Sequence, residues 1–294
     1  MKKSVTLAVL LIIAIFFVPA ASAQSNAQPE NAAPLRSQSI NGSTGLYSIP
    51  SGGIGWENAG KFGLDAGYRS IINNDNGISH IPAITISLFK WAEISSAFDI
   101  QPDINIAGEN QKNSDLVLGL KIKLPTNTKN VKNPVIALGG NFQFININND
   151  NNGYNAYQPY IAVTYIGSFF NMSAETTVVF GKTLYSGGPD NDWNFDFGMG
   201  FDLILFPDVF GSAVHWIIDF ANFGYSDNSW ANSLHPHTGS AWNRGNVNTG
   251  IRVNLAAIPA FSRFKFALDL AFNDLLDDGA RSFTAGVVFG FAVK

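Results

Sequence analysis

Long stretches of the chain alternate between apolar and polar residues with a period of two. The clearest stretch is W-N-F-D-F-G-M-G-F-D-L-I-L, from Trp193 to Leu205, in which every odd position is large and apolar. The even positions as far as Asp202 are Asn, Asp or Gly. Successive side chains of a strand point to opposite faces, so this pattern predicts a strand with one apolar and one polar face. Its length is about twice that of a usual strand and suits a tilted strand that crosses a bilayer.

The same alternation recurs along the chain and predicts twelve strands. They lie at 61–69, 82–89, 92–100, 116–124, 136–144, 157–165, 170–180, 193–205, 213–220, 244–255, 263–272 and 283–293. Links after even-numbered strands are mostly tight, such as Lys90-Trp91, whereas several links after odd-numbered strands are long and polar. Short periplasmic turns and longer extracellular loops are typical of outer-membrane barrels. We therefore predict an all-β fold, a transmembrane antiparallel up-and-down β-barrel of about twelve strands.

The N-terminus predicts export. Lys2 and Lys3 precede an apolar stretch at 7–18, and the small residues Ala21-Ser22-Ala23 follow it. This is the pattern of a cleaved secretory signal peptide, which we assign to residues 1–23. Residues 24–59 are then a periplasmic N-terminal segment, flexible at first, that either plugs the lumen or caps its mouth. Residues 60–294 form the barrel, and the expected location is the bacterial outer membrane.

Composition agrees with a barrel in lipid. The hydrophobic content is 46% but the mean hydropathy is only +0.08, which is too polar for a helical membrane protein and suits a fold in which alternate residues face lipid. Without Lys2 and Lys3, 16 basic residues face 22 acidic ones, a net charge of about −6 that argues against a nucleic-acid partner. The chain has no cysteine, so no disulfide stabilises it, and a closed hydrogen-bonded sheet in lipid is one structure that could do so instead. The expected partners are outer-membrane lipid, the barrel-insertion machinery and small polar solutes.

Charged residues on the inward-facing positions suggest a function. The predicted acidic set is Glu175, Asp196, Asp202 and Asp219, and the predicted basic set on the following strands is Arg244, Arg252, Arg263 and Lys265. Two facing arcs of opposite charge would set up a transverse field across a water-filled pore, which orients and selects polar solutes. We therefore expect an outer-membrane channel for passive or weakly selective passage of small polar solutes.

Two alternatives stay open. Twelve strands enclose a narrower lumen than the sixteen of typical porins, so the charges could instead form ion pairs that fill the barrel. The protein would then be a non-conducting structural or secretion-accessory barrel that binds partners through its loops or N-terminal segment. A soluble, secreted all-β protein is the more distant alternative.

No catalytic, cofactor or metal site is expected, and we predict that the protein is not an enzyme. His215 lies on the same predicted face as Asp219, but no serine accompanies them, so we interpret His215 as a structural hydrogen-bonding group of the lumen. His235 and His237 flank a proline in the longest loop and are poorly spaced for one metal site.

Two short segments resemble known outer-membrane proteins. The run Thr44-Gly45-Leu46, followed by Pro50-Ser51-Gly52 and then by Gly67-Tyr68-Arg69, resembles the opening of YjbH-type outer-membrane proteins. That resemblance implies a link to exopolysaccharide secretion. The last strand, with Phe289 and Phe291, resembles the final strand that the insertion machinery reads in outer-membrane barrels, although the chain ends with Lys294.

Overall fold

A computed structural model of the chain describes residues 36–57, 62–73, 77–101, 104–106, 109–111, 114–125, 134–145, 154–169, 172–186, 195–223, 246–258, 261, 263–276 and 281–293. Its strands are β1 (Ser37–Gln38), β2 (Thr44–Gly45), β3 (Phe62–Asn73), β4 (Gly77–Leu88), β5 (Ala92–Ile100), β6 (Ile104–Ile106), β7 (Glu109–Gln111), β8 (Ser114–Lys123), β9 (Val135–Ile145), β10 (Tyr154–Phe169), β11 (Met172–Gly181), β12 (Leu184–Ser186), β13 (Asp196–Ile204), β14 (Val214–Ala221), β15 (Asn246–Asn254), β16 (Phe264–Asn273) and β17 (Ser282–Val293). The described residues also include a helix α1 (Pro207–Phe210) and a 3-10 turn at Leu255–Ala257.

Twelve long strands form a closed antiparallel barrel. They pair in the order β3-β4-β5-β8-β9-β10-β11-β13-β14-β15-β16-β17, and β17 pairs with β3 from Phe62–Val293 to Asn73–Ser282. The short strand β12 adds to β10 beyond the end of β11, and β6 pairs with β7 as a separate hairpin. Each of the twelve predicted strands coincides with one barrel strand, so the predicted twelve-strand barrel is confirmed.

The outer face of the barrel is apolar and the inner face is polar. Along β8, the outward residues Leu118, Leu120 and Ile122 are exposed, whereas the inward residues Gly119 and Lys121 are buried. This inverts the arrangement of a water-soluble protein, in which strands turn their apolar side chains to a core. A closed sheet with an apolar exterior satisfies its backbone internally and presents hydrocarbon-compatible side chains to lipid, as a membrane-spanning barrel requires.

The two rims of the barrel differ. At the rim we name the turn rim, β3 begins and β17 ends, and the links between strands are 89–91, 124–134, 170–171, 205–213 and 255–263. The opposite rim, the loop rim, carries the links 101–113, 146–153, 182–195, 222–245 and 274–281, and one short link at 74–76. Aromatic residues are exposed at the turn rim, among them Trp91, Phe206 and Phe261, at the level where aromatic side chains of membrane proteins meet the interface.

One predicted boundary is wrong. Arg263 was placed on a lumen-facing strand, but it lies in the turn before β16 and its side chain is exposed. The ladder of β16 with β17 begins at the pair Phe264–Phe291, so residue 263 has no partner that would hold it in the sheet. Among the described residues, no helix combines the length and the apolar character needed to cross a bilayer.

A charge on the outer face tests whether lipid covers it. Leu118 lies in the middle of β8 and is 44% exposed. Replacement of Leu118 by Arg should destabilise the folded barrel in lipid vesicles by about 2–4 kcal/mol, because the guanidinium would be placed near the bilayer midplane. Reversible unfolding in denaturant, followed by tryptophan fluorescence, measures the change.

The matched control is Val209→Arg, which introduces the same side chain in α1 at the turn rim. Its cost should be only about 0–1 kcal/mol, because charged residues near the interface stay hydrated. Equal costs for the two variants would contradict a lipid-facing β8.

Candidate functional site

Residues 36–57, which we name the plug, lie inside the barrel. Most of them are buried, and their contacts reach every one of the twelve barrel strands. The contacted positions, one on each strand, are Asp65, Thr85, Glu93, Lys121, Val135, Thr164, Glu175, Gly198, Asp219, Arg252, Lys265 and Thr284. The described part of the N-terminal segment therefore lies in the lumen and does not cap its mouth.

Between its two end residues, the plug presents backbone groups rather than charged side chains to the lumen. From Ser37 to Trp56 it contains no Asp, Glu, Lys, Arg or His. Its own secondary structure is slight, a pairing of β1 with β2 and a bridge between Gly45 and Pro50, so many of its backbone groups need partners elsewhere. Charged side chains of the barrel provide several of these partners.

Glu93 on β5 binds one stretch of the plug. Its carboxylate accepts hydrogen bonds from the backbone N–H of Thr44 at 2.8 Å, from the Thr44 hydroxyl at 2.6 Å and from the backbone N–H of Gly55 at 3.2 Å. Lys121 on β8 pairs with Glu93 at 3.0 Å and donates to the carbonyl of Thr44 at 2.8 Å. The buried pair of Glu93 and Lys121 thus binds both the backbone N–H and the backbone carbonyl of Thr44.

Asp219 on β14 binds the turn of the plug at Tyr47 and Ser48. Its Oδ2 accepts from the backbone N–H of Tyr47 at 2.9 Å and of Ser48 at 2.7 Å, and its Oδ1 accepts from the Ser48 hydroxyl at 2.9 Å. Asn248 on β15 also donates to Oδ1, at 2.8 Å. Four donors compensate the buried carboxylate, and three of them belong to the plug.

Two arginines bind plug carbonyls. Arg252 on β15 donates to the carbonyl of Gly45 at 3.1 Å, and Arg69 on β3 donates to the carbonyls of Ser39, at 3.0 Å, and of Gln38. Both guanidinium groups pair with Asp269 on β16, at 2.7 Å for Arg252 and 3.1 Å for Arg69. The pairing holds the two cations in the lumen, where Nη atoms of both guanidinium groups donate to carbonyls of the plug.

Apolar plug residues pack into separate apolar patches of the inner wall. Leu46, Tyr47 and Ile49 join a buried cluster that includes Tyr160 and Phe223. Ile40 packs against a second cluster. That second cluster consists of Ile81, Ala83, Ala97 and Val117, with Ile71 beside it. These contacts add hydrophobic burial to the hydrogen bonds that hold the plug.

Trp56 anchors the end of the plug near the turn rim. Its indole N–H donates to Asp65 on β3 at 2.7 Å, and the Lys265 ammonium lies 5.5 Å from the ring centroid. Lys265 itself pairs with Asp65 at 2.5 Å. The indole lies directly over Gly63 on β3. A Cβ at this position would overlap the ring, so β3 needs glycine there.

An ion-pair cluster, which we name the latch, joins the two ends of the plug. Arg36 pairs with Glu57 at 2.9 Å and with Glu175 on β11 at 2.8 Å, and Lys123 on β8 pairs with Glu57 at 2.8 Å. Lys123 ends β8 at the turn rim, and the chain leaves Glu57 towards the start of β3 at the same rim. Both ends of the plug therefore lie at one rim.

The latch stabilises the ionised forms of its plug residues. Burial raises the pKa of the Glu57 carboxyl, but Arg36 and Lys123 outweigh burial and lower that pKa below its ordinary value of 4.5. Burial likewise lowers the pKa of Arg36, and the attraction of Glu175 and Glu57 outweighs it, so the pKa of Arg36 lies above its ordinary value. Glu57 and Arg36 are therefore both charged at neutral pH.

The predicted acidic residues lie on the inner wall, each with its own partners. Glu175 binds Arg36 of the latch, and Asp219 binds the plug. Asp202 pairs with His215 at 2.5 Å. Asp196, towards the loop rim, accepts from Thr183 at 2.6 Å and from Gln158 at 3.0 Å. The four carboxylates are therefore spread from one rim to the other.

The predicted basic residues do not all lie on the inner wall. Arg252 and Lys265 are buried in the lumen. Arg252 pairs with Asp269 on the neighbouring strand β16, and Lys265 pairs across β17 with Asp65 on β3. Arg263 is the exposed turn residue described above, and Arg244 lies outside the described residues. The two buried cations are thus compensated locally as well as by the plug.

His215 has a structural environment. Its Nδ1 lies 2.5 Å from Asp202 and its Nε2 lies 2.8 Å from the carbonyl of Ser212, so both ring nitrogens face acceptors and the doubly protonated imidazolium fits best. The partner is Asp202 rather than Asp219, which the sequence had suggested. His235 and His237 lie outside the described residues, and among the described ones no three His, Cys, Asp or Glu side chains are grouped as metal ligands.

The sequence did not single out the latch or most of the plug contacts. Arg36 and Glu57 lie in a segment without strand alternation, so nothing marked them as partners of the lumen. One signal was present: a run of uncharged residues, Ser37 to Trp56, precedes a barrel whose inward positions carry many charges. Buried charges need partners, and this run is rich in backbone groups that could provide them.

Comparisons with known proteins match at the level of structure alone. No protein-family model matches the sequence, and a comparison with curated proteins gives no match. The outer membrane protein Omp33 of Acinetobacter baumannii is 10% identical, with 79% of this chain and 98% of that chain covered and a TM-score of 0.41. The NanC porin is 10% identical, with 79% and 100% covered and a TM-score of 0.43. OprD of Pseudomonas aeruginosa is 9% identical, with 79% and 65% covered and a TM-score of 0.32.

Loss of the Asp219 charge should loosen the plug locally. In Asp219→Asn, the side chain keeps its size but loses the second acceptor oxygen, and a hydrogen bond to a charged group contributes about 1.5–3 kcal/mol. The backbone amides of Tyr47 and Ser48 should exchange with deuterium roughly tenfold faster or more than in the unaltered protein. The control is Asp208→Asn in the exposed helix α1, which should leave both exchange rates unchanged. Unchanged protection in Asp219→Asn would show that the carboxylate does not hold the plug.

Acid should weaken the latch through Glu57. The folded-state pKa of Glu57 is lowered, so its contribution is complete above 4.5 and is lost as the pH falls through the lower folded value. Glu175, the other carboxylate of the latch, faces the same Arg36. The chain has no cysteine, so Ser37→Cys places a single thiol on a buried plug residue. Its labelling by a pyridyl disulfide, a reagent that works in acid, should accelerate as the pH falls below about 4.5.

The comparison variant is Ser37→Cys combined with Glu57→Gln. It should label faster at neutral pH and respond less to acid, because the titrating carboxyl is gone. If both variants showed the same pH profile, the response would belong to another group and the role assigned to Glu57 would be wrong.

Proposed function

We propose that this chain is a channel of the bacterial outer membrane whose lumen is closed by its own plug, and that small polar solutes pass when the plug is displaced. The observation that carries the proposal is the way the lumen charges are used. Glu93, Asp219 and Arg252 each bind the backbone of the plug, a separate stretch of chain held at one rim. A barrel filled merely for stability needs no such removable occupant, because its inward side chains can fill the lumen themselves.

The inner wall suits a water-filled pathway once the plug is out. Many of its buried positions are charged or amide side chains, such as Lys121, Asn141, Gln143 and Gln158. Such a lining is stable in contact with water, whereas an apolar lining would favour collapse or dewetting. The apolar outer face and the N-terminal signal sequence support a location in the outer membrane.

Selectivity is proposed to be weak. The acidic residues Glu175, Asp196, Asp202 and Asp219 and the basic residues Arg244, Arg252 and Lys265 are the proposed set that orients solutes. Asp269 and Asp65, beside Arg252 and Lys265, offset part of the positive charge on that side of the wall. A partly compensated field favours polar solutes in general over one sign of ion.

A non-conducting accessory barrel is the second candidate, and one observation favours it. The plug contacts all twelve barrel strands and its charged partners are well satisfied, as expected of a permanent occupant. In that case the surfaces left for a partner are the loops and the N-terminal segment, and the resemblance to exopolysaccharide-associated proteins would apply to them.

Removal of the plug distinguishes the two candidates. The test variant lacks residues 24–57 and keeps the signal peptide, and the matched control lacks only residues 24–35, so its plug is intact. Each is inserted into a planar bilayer, after its heat-modifiable mobility and circular dichroism have established a folded barrel. We expect closed or rarely open behaviour for the full chain and the control, and a stable ohmic conductance for the variant without the plug.

Absence of conductance in the folded plug-less barrel would overturn the channel proposal and leave the accessory role. A full conductance in the full chain and in both variants would show that the plug does not close the lumen.

A further inference from the structure

We infer that the lumen is a binding site for polypeptide, and that once the plug is out it binds peptides rich in Gly, Ser and Thr whose side chains between the two ends are uncharged. The inference deepens the proposed function, because it names the class of molecule that the opened lumen takes. It rests on the chemistry of the contacts between the inner wall and the plug.

On the inner wall, anionic side chains bind backbone N–H groups of the plug, and cationic side chains bind its backbone carbonyls. The anions Glu93 and Asp219 accept from backbone N–H groups, at Thr44 and Gly55 and at Tyr47 and Ser48. The cations donate to carbonyls. These donors and their acceptors are Lys121 to Thr44, Arg252 to Gly45, and Arg69 to Gln38 and Ser39. A backbone with alternating donors and acceptors is the ligand that such a wall recognises.

The ligand must also be uncharged between its two ends. The bound run from Ser37 to Trp56 has no charged side chain, and the wall's own ion pairs, such as Glu93 with Lys121 and Arg252 with Asp269, are already balanced. A charged ligand side chain buried here would lack a counter-charge, which is costly. The wall therefore disfavours charged side chains along this run, whereas the two charged ends of the plug, Arg36 and Glu57, pair with charges of the wall at the turn rim.

Close approach of backbones explains the preference for small residues. At Gly52 a side chain would collide with the carbonyl of Val135 on β9, and Gly52 donates its N–H to Thr164 on β10 at 2.8 Å. Gly42, at a φ of +84°, lies against the backbone of Ser96 on β5. Peptide backbone must therefore come near the barrel wall at these points, and only glycine permits it.

Binding in trans tests the inference. The folded barrel without residues 24–57 is incubated with a synthetic peptide of residues 36–57, and the bilayer current is recorded. We expect the peptide to reduce the mean current at least tenfold at a concentration at which a scrambled peptide of the same composition has no effect. The peptide with Gly52→Val should fail to block, because its side chain would meet the carbonyl of Val135.

A neutral glucose oligomer of similar length is the competing ligand. Blockage by the oligomer as strong as that by the peptide would overturn the assignment to polypeptide, since hydroxyl-rich polymers would then be the preferred class. Failure of the peptide to block a conducting barrel would overturn the inference while leaving the channel proposal intact. Absence of conductance in the folded barrel is instead the failure of the channel proposal.

A second measurement avoids dependence on folding without the plug. The full chain is folded with a protease site inserted between Glu57 and Phe62, and cleavage then leaves the plug held by non-covalent contacts alone. A fluorescent peptide of residues 36–57 should exchange into the cleaved protein and raise its anisotropy, and excess unlabelled peptide should reverse the change. No exchange of the labelled peptide, with the released plug recovered free in solution, would show that the lumen does not hold a polypeptide as a ligand.

Discussion

Closure of the sheet between β17 and β3 is the constraint on which the rest of the molecule depends. Twelve residue pairs join these two strands, so the twelve-strand sheet has no free edge. In hydrocarbon an unpaired backbone group costs several kcal/mol, and only closure removes the whole row of such groups at an edge. Once the sheet is closed, the period-two alternation of each strand becomes a difference between outside and inside. The lipid-facing surface and the charged lumen both follow from the pairing of β17 with β3.

A closed barrel with a charged interior then has a second requirement, because buried charges need partners. Other strands of the barrel supply some of them, as for Arg252 with Asp269 on the neighbouring strand and for Lys265 with Asp65 two strands away. The plug supplies the others through its backbone, which can donate and accept without adding charge of its own. This division explains why an uncharged segment is suited to a highly charged cavity, and why it can be held firmly yet hold no fixed ion pair beyond the latch at its ends.

The sequence predicted the barrel well because lipid imposes a strict pattern on every strand. All twelve strands could be located, with boundaries that shifted by a few residues where the ladder, not the alternation, decides the end, as at Arg263. The inward position of Glu175, Asp202, Asp219 and Lys265 followed from the same pattern. Their partners did not, because pairing depends on which strands adjoin and on where the plug lies. The plug has no periodicity, so its path could be seen only in three dimensions.

The position of the latch has a topological consequence. Arg36 and Glu57 are in contact at the turn rim, so the described plug enters and leaves the lumen through the same opening. The described plug is a loop that lies within the barrel, and no part of it leaves through the loop rim. Withdrawal and return therefore require no strand pair of the barrel to open, and the seam between β17 and β3 can stay intact throughout.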